Sequence, residues 1–331
     1  MVRHARSIAN RVNLSRNVLP QKPEGREGQR GILTRTFAPV CFKDRMRERR
    51  PSQTASMVAL VRALANDGFT TVPGFRDPPV AALLSPGWRC LYRRMSARLR
   101  QAPPERAARA IARFDALSER VAMLDVELTE AIDAGAEQVV ILGAGLDTRA
   151  YRMEVLRGCA VFEVDHPATQ AFKRRKAAAL PPFAHSLAYV PVDFERGGID
   201  RALASAGFRS ERASVWVWEG VVMYLTHAAL RASLREIAKC AAAGSRVLVN
   251  YHLPTIDSQL REQRIRTLLL AAWGERQIGL RTTEAMHTEL RDAGFAVLRD
   301  TGAAAWATRL GAKAPVGHPG DVARLVVAKR S

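Results

Sequence analysis

Val139-Val-Ile-Leu-Gly143-Ala-Gly145-Leu-Asp-Thr-Arg149 is the stretch that decides the fold. A short apolar run bounded by glycine has the length of a buried strand rather than a helix. The glycine turn lets backbone approach a ligand at the strand's C-terminal edge. A dinucleotide fingerprint places glycine or alanine at position 148, for close helix packing, and this chain has Thr148. A plain tight turn is the alternative. A second signal, Phe162-Glu163-Val164-Asp165, ends the next apolar run, with Asp165 22 residues after Gly143. An acidic residue there can accept both hydroxyl hydrogens of a ribose; its other reading is a helix cap ahead of Pro167.

Outward from these blocks, strands are predicted over 138–142, 160–164, 189–192, 215–218, 246–251, 295–299 and 324–328. Helices are predicted over 167–179, 226–242 and 282–293. Strands separated by helix-length segments require parallel crossovers, hence an open α/β sheet. Upstream, Met57, Leu60, Val61 and Leu64 recur at helical spacing after a Ser52 cap and stop at Gly68. Pro78-Pro79 and Pro86 punctuate a second helical stretch. A third, over 105–134, carries Ile111, Phe114, Leu117, Val121, Leu124, Leu128 and Ile132 on one stripe. The expected organisation is a basic, disordered tail over 1–51, a helical cap over 52–135 and an α/β domain over 136–331.

The 331 residues are 47% apolar, enough for a large core, with no unbroken apolar run of membrane-spanning length. The basic start lacks a secretory apolar centre. Its Arg-rich, acid-poor composition also fits a mitochondrial transit peptide, but a cytoplasmic protein is the expectation. Cys41, Cys90, Cys159 and Cys240 lie far apart, and the seven histidines form no ligand-spaced cluster, so neither disulfides nor a metal is expected. Of the net charge of +19, residues 1–50 supply +9 through 13 Lys/Arg against 4 Asp/Glu, and the rest is spread thinly. A solvated basic surface explains this without a nucleic-acid partner.

Two further blocks, Val190-Pro-Val-Asp193-Phe194 and Val217-Trp-Glu219-Gly-Val-Val-Met-Tyr224-Leu, follow the first two in order. With Glu163-Val-Asp-His-Pro and Phe172-Lys-Arg-Arg-Lys176, the chain from about 52 to 329 resembles the leucine carboxyl methyltransferase-like family, which includes bacterial polyketide-type O-methyltransferases. The resemblance implies a doubly wound, mostly parallel seven-stranded sheet of Rossmann-like methyltransferase type with an N-terminal helical cap. It implies S-adenosyl-L-methionine as cofactor and O-methylation of a carboxylate or hydroxyl on a small molecule. Gly143 and Gly145 would lie against the methionine moiety and Asp165 would bind the ribose. Asp193 and Phe194 would flank the adenine, Glu219 would lie near the methionine amine, and Arg120 would pair with the cofactor carboxylate. The alternative for Arg120 is a solvated helix face.

Two departures stand out. Glu195 occupies the place of an arginine that holds the substrate carboxylate in the carboxyl-methylating branch, with Arg196 one residue on, and Ala59 replaces a branch lysine. A hydroxyl acceptor would gain from a general base, for which His252, just after the fifth strand, is the candidate; an ordinary loop histidine is the other reading. Tyr224 and Tyr251 either line the pocket or belong to the core. Residues 255–273, with Leu260, Ile265, Leu268, Leu269 and Trp273, form either a helical lid or packing against the N-terminal helices. Two rivals are a nicotinamide-dependent oxidoreductase, which Thr148 and the Glu219–Tyr224 block disfavour, and a non-catalytic or nucleic-acid-binding protein on the same fold.

Overall fold

The computed structural model describes residues 52–112, 114–194, 197–254, 277–312 and 322–331. All of these lie within one compact unit. The N-terminal helices are α1 (Gln53–Asn66), α2 (Val80–Leu83), α3 (Pro86–Gln101), α4 (Pro104–Ala112) and α5 (Asp115–Asp133). Ser52 caps α1, its hydroxyl accepting the Ala55 N–H at 3.1 Å.

The single helix predicted over 105–134 is two helices. Asp115 is wholly buried and is drawn into the Thr70-Thr71 segment, accepting the Thr71 N–H at 2.8 Å and both threonine hydroxyls. That tertiary demand restarts the chain at Phe114, whose φ/ψ of −127°/−4° are not helical. Here α4 buries none of its residues, while α5 buries Met123, Leu124 and Leu128. Each such side chain is worth roughly 1.5–3 kcal/mol.

The sheet follows as β1 (Gln138–Leu142), α6 (Arg149–Arg152), β2 (Ala160–Asp165), α7 (Pro167–Ala177), β3 (Ser186–Pro191), α8 (Ile199–Ser205) and β4 (Ser214–Trp218). It continues with α9 (His227–Cys240), β5 (Arg246–His252), α10 (Thr283–Asp292), β6 (Phe295–Gly302), α11 (Ala303–Leu310) and β7 (Ala323–Arg330). The strand order is β3-β2-β1-β4-β5-β7-β6. Strands β1 to β5 pair in parallel, and β7 inserts antiparallel to both β5 and β6. This is the doubly wound, mostly parallel seven-stranded sheet. Strands β1 and β4 are buried along their whole length, as central strands covered on both faces must be.

Two apolar clusters sandwich the sheet. One joins β1 through Val139 and Ile141 to α1, α2 and α5; the other joins Val140 and Leu142 to α8, α9 and α10. The order reverses direction between β1 and β4, and the C-terminal ends of the strands at such a switch point are where open α/β sheets take their ligands. No described helix is long and apolar enough to cross a membrane.

Candidate active site

The candidate site is built on the turn after β1. Gly143 and Gly145 take φ of +67° and +46°, conformations that favour glycine. Close packing adds a second reason. A Cβ on Gly143 would stand 2.3 Å from Val221 Cγ2, and one on Gly145 would stand 3.1 Å from Ala55 Cβ. The Gly143 and Ala144 N–H groups donate to the Val164 carbonyl at 2.7 and 3.1 Å, binding the turn to β2.

That bond brings Asp165, the last residue of β2, beside the turn. Its two carboxylate oxygens accept the N–H groups of Gly145 and His166, each at 2.5 Å. Burial pushes its pKa up, against the pull of those two donors. The alternative role of helix cap falls instead to His166, whose Nδ1 accepts the Ala168 N–H at 3.3 Å. Each Asp165 oxygen keeps a lone pair for a further donor.

At the adjacent strand end, Glu219 follows β4. Arg120, 6% exposed and no solvated face, donates through Nε to Glu219 Oε1 at 3.0 Å. Arg149 Nη2 donates to Oε2 at 2.9 Å. Burial raises the Glu219 pKa, and Arg149 and Arg120 more than reverse it, so the carboxyl lies below its ordinary range. A guanidinium and a carboxylate side by side are complementary to a zwitterionic amino-acid terminus.

Phe194 and Asp193 lie half-buried beyond β3, and the Phe194 ring stacks on Trp218 with centroids 6.3 Å apart. Tyr224 ends a 3-10 turn after β4, and His252 ends β5; both are half-buried on the same sheet edge. Tyr251 points into the core, its hydroxyl donating to Asp300 Oδ2 at 2.7 Å. Residues 255–273, Glu195 and Arg196 lie outside the described residues.

Sequence reasoning missed the scaffold under this rim. Arg149 is 1% exposed and donates to three carboxylates: Asp125 at 2.7 Å, Asp147 at 2.5 Å and Glu219. Arg152 pairs with Asp125 at 2.7 Å, and Arg62 pairs with Asp77. Four arginines (Arg62, Arg120, Arg149, Arg152) thus meet four carboxylates (Asp77, Asp125, Asp147, Glu219), which is how buried charge is tolerated. Burial raises Asp147, but Arg149 first, then Lys173 and Arg62, pull it far below the usual range. Asp147 and Arg149 stood in the opening stretch; nothing in one sequence joins Asp77 to Thr148, 71 residues away. Among the described residues no cluster of His, Cys, Asp or Glu is arranged to hold a metal.

A glycine turn, Asp165 and the Arg120–Glu219 pair at the strand-order reversal of a seven-stranded, mostly parallel sheet define an α/β protein of Rossmann-like fold. The chain belongs to the leucine carboxyl methyltransferase family, whose model matches residues 55–238. It is 37% identical over 202 residues to a Mycobacterium avium protein named "Putative S-adenosyl-L-methionine-dependent methyltransferase", covering 60% of this chain and 66% of that one. A like-named Streptomyces coelicolor protein is 34% identical over 194 residues, covering 58% and 61%. The chain therefore spans just under two thirds of these relatives' own length. Among solved structures, a DUF574 family protein of Streptomyces avermitilis aligns with a TM-score of 0.54 at 16% identity, covering 85% of this chain and 98% of that one. A Thermobifida fusca protein described as a "putative methyltransferase" aligns at 0.50 and 17%, covering 88% and 99%. At such identities the likeness concerns the fold alone.

Proposed function

We propose that this protein is an S-adenosyl-L-methionine-dependent methyltransferase that methylates an oxygen, carboxylate or hydroxyl, of a small molecule. The observation that carries the reading is the convergence of three groups on one sheet edge: Asp165 held by the Gly145 N–H, and Arg120 beside Glu219. The ligand presents a ribose diol to the first, and a carboxylate and an ammonium to the pair. In this reading Gly143 and Gly145 offer backbone to the methionine moiety, and Asp193 and Phe194 flank the adenine. The donor names carried by the relatives support the same cofactor.

Bound there, the cofactor supplies a methyl group on a sulfonium, already activated for transfer. The protein's task is then to hold the acceptor oxygen in line and to exclude water, an orientation effect worth roughly 7–11 kcal/mol. A carboxylate acceptor is nucleophilic at neutral pH without help. A hydroxyl or phenol acceptor hands its proton to a base, a role assigned in this proposal to His252 or Tyr224 on the same edge. The helical cap and the α/β domain are read as one functional unit closing over the rim.

The test is incubation of the full chain with S-adenosylmethionine and pools of carboxylic acids, phenols and amines, followed by mass spectrometry. Formation of a methylated product together with S-adenosylhomocysteine supports the reading. Methyl transfer only to nitrogen or carbon acceptors would contradict oxygen as the acceptor atom.

A further inference from the structure

Thr148 is where the glycine turn departs from a dinucleotide fingerprint, and the fold gives that departure a use. Its side chain is wholly buried. The hydroxyl donates to Asp77 Oδ1 at 2.7 Å and accepts from Arg62 Nη2 and from Arg152 Nε at 3.2 Å. One donor and two acceptor sites are all a hydroxyl has, so Thr148 Oγ1 is saturated. Arg62 closes the ring: its Nε donates to Asp77 Oδ2 at 2.8 Å, and its Nη1 donates to the Leu146 carbonyl at 3.0 Å. Arg62 and Asp77 are buried as well.

Arg62 belongs to α1, which is no part of the sheet. Seven residues earlier, two helical turns away on the same face, Ala55 lies against Gly145. Helix α1 therefore grips the turn at two points, one on either side of Leu146. At the first of these points the Gly145 N–H donates to Asp165. None of Arg62, Asp77 and Thr148 is among the groups assigned above to contact the cofactor.

We propose that Arg62, Asp77 and Thr148 form a positioning joint that seats α1 on the turn and fixes the Gly145 N–H, and through it Asp165, for the adenosyl ligand. The inference rests on reading the rim as an S-adenosylmethionine site. Glycine at position 148 would pack closely, as nucleotide-binding turns require, but would offer no hydroxyl to the ring.

The test is titration of the full-length chain with S-adenosylhomocysteine, comparing wild type with Thr148→Ser and Thr148→Val. Serine keeps the hydroxyl, and its Kd should stay within about twofold of wild type. Valine keeps the shape but removes the hydroxyl shared by Asp77 Oδ1, Arg62 Nη2 and Arg152 Nε, and its Kd should rise about tenfold or more. The KM for S-adenosylmethionine should rise in step, with kcat at saturating cofactor retained. Equal affinity of the valine and serine variants would overturn the joint. Should the valine variant not fold, Arg62→Lys decides: it keeps the charge but cannot span Leu146 and Thr148 together, so a raised Kd supports the proposal and an unchanged one overturns it. Absence of binding by wild type itself would instead contradict the proposed function.

Discussion

Asp165 and Glu219 both carry a carboxylate at a strand's C-terminal end, yet their surroundings push them in opposite directions. Burial dominates Asp165 and raises it, whereas two guanidinium groups hold Glu219 low. Under the proposed function Asp165 offers its acceptor oxygens to the ribose diol, with the Gly145 and His166 N–H groups holding it in place. Removing it as Asp165→Ala should weaken S-adenosylhomocysteine about tenfold or more, since hydrogen bonds to charged groups are worth ~1.5–3 kcal/mol each; calorimetry on the folded variant checks this. Glu219 also acts in stability. Glu219→Gln leaves Arg120 and Arg149 short of a buried counter-charge, a change of about 3–5 kcal/mol when such a pair is broken, so the melting temperature should fall. A variant melting with wild type would show that those pairs contribute nothing. Gly143 gives a third residue-scale prediction. Gly143→Ala places a methyl on Val221 Cγ2 and should destabilise the fold; adding Val221→Ala should recover part of the loss, leaving the positive-φ cost of about 1 kcal/mol.

At the scale of elements, the strands were legible because each is a short apolar run stopped by a turn residue, and buried parallel strands need little else. Where the sequence misled, tertiary demands had overridden periodicity. The stripe from Ile111 to Ile132 is continuous on paper, but Asp115 is claimed by Thr70 and Thr71, more than forty residues upstream, and the helix breaks. The site divides in the same way. Gly143, Gly145 and Asp165 could be placed from β1 and β2 alone, since each sits at a strand end. The scaffold beneath them could not, because Arg149 reaches Glu219 across 70 residues and Thr148 reaches Asp77 across 71. Helix α11 was missed as well; it is tied to α5 by Arg309, which meets Glu127 at 2.8 Å and also Glu130, a pairing that an alanine-rich segment does not announce.

For the molecule as a whole, the buried charges set a pH profile with two limbs. Asp125, Asp147 and Glu219 have folded pKa values below the ordinary range. Their contribution is therefore present above about pH 4 and lost as pH falls through their folded values. Glu163 has the opposite sign. Burial, only partly offset by Lys173 at 2.6 Å, pushes it up to about 7. Its contribution is full below an unfolded value of about 4.3 and is lost as pH rises through about 7. Stability should thus peak in the mildly acidic range. Thermal melts from pH 4 to 9 check this, with the loss towards neutral pH smaller in Glu163→Gln than in wild type.

The most direct measurement is a calorimetric titration of the purified full-length chain with S-adenosylhomocysteine and, in parallel, with NAD. Under the proposed function, Asp165 and the Arg120–Glu219 pair predict saturable one-to-one binding of the first and none of the second. Saturable binding of NAD, with no heat from S-adenosylhomocysteine, would contradict it.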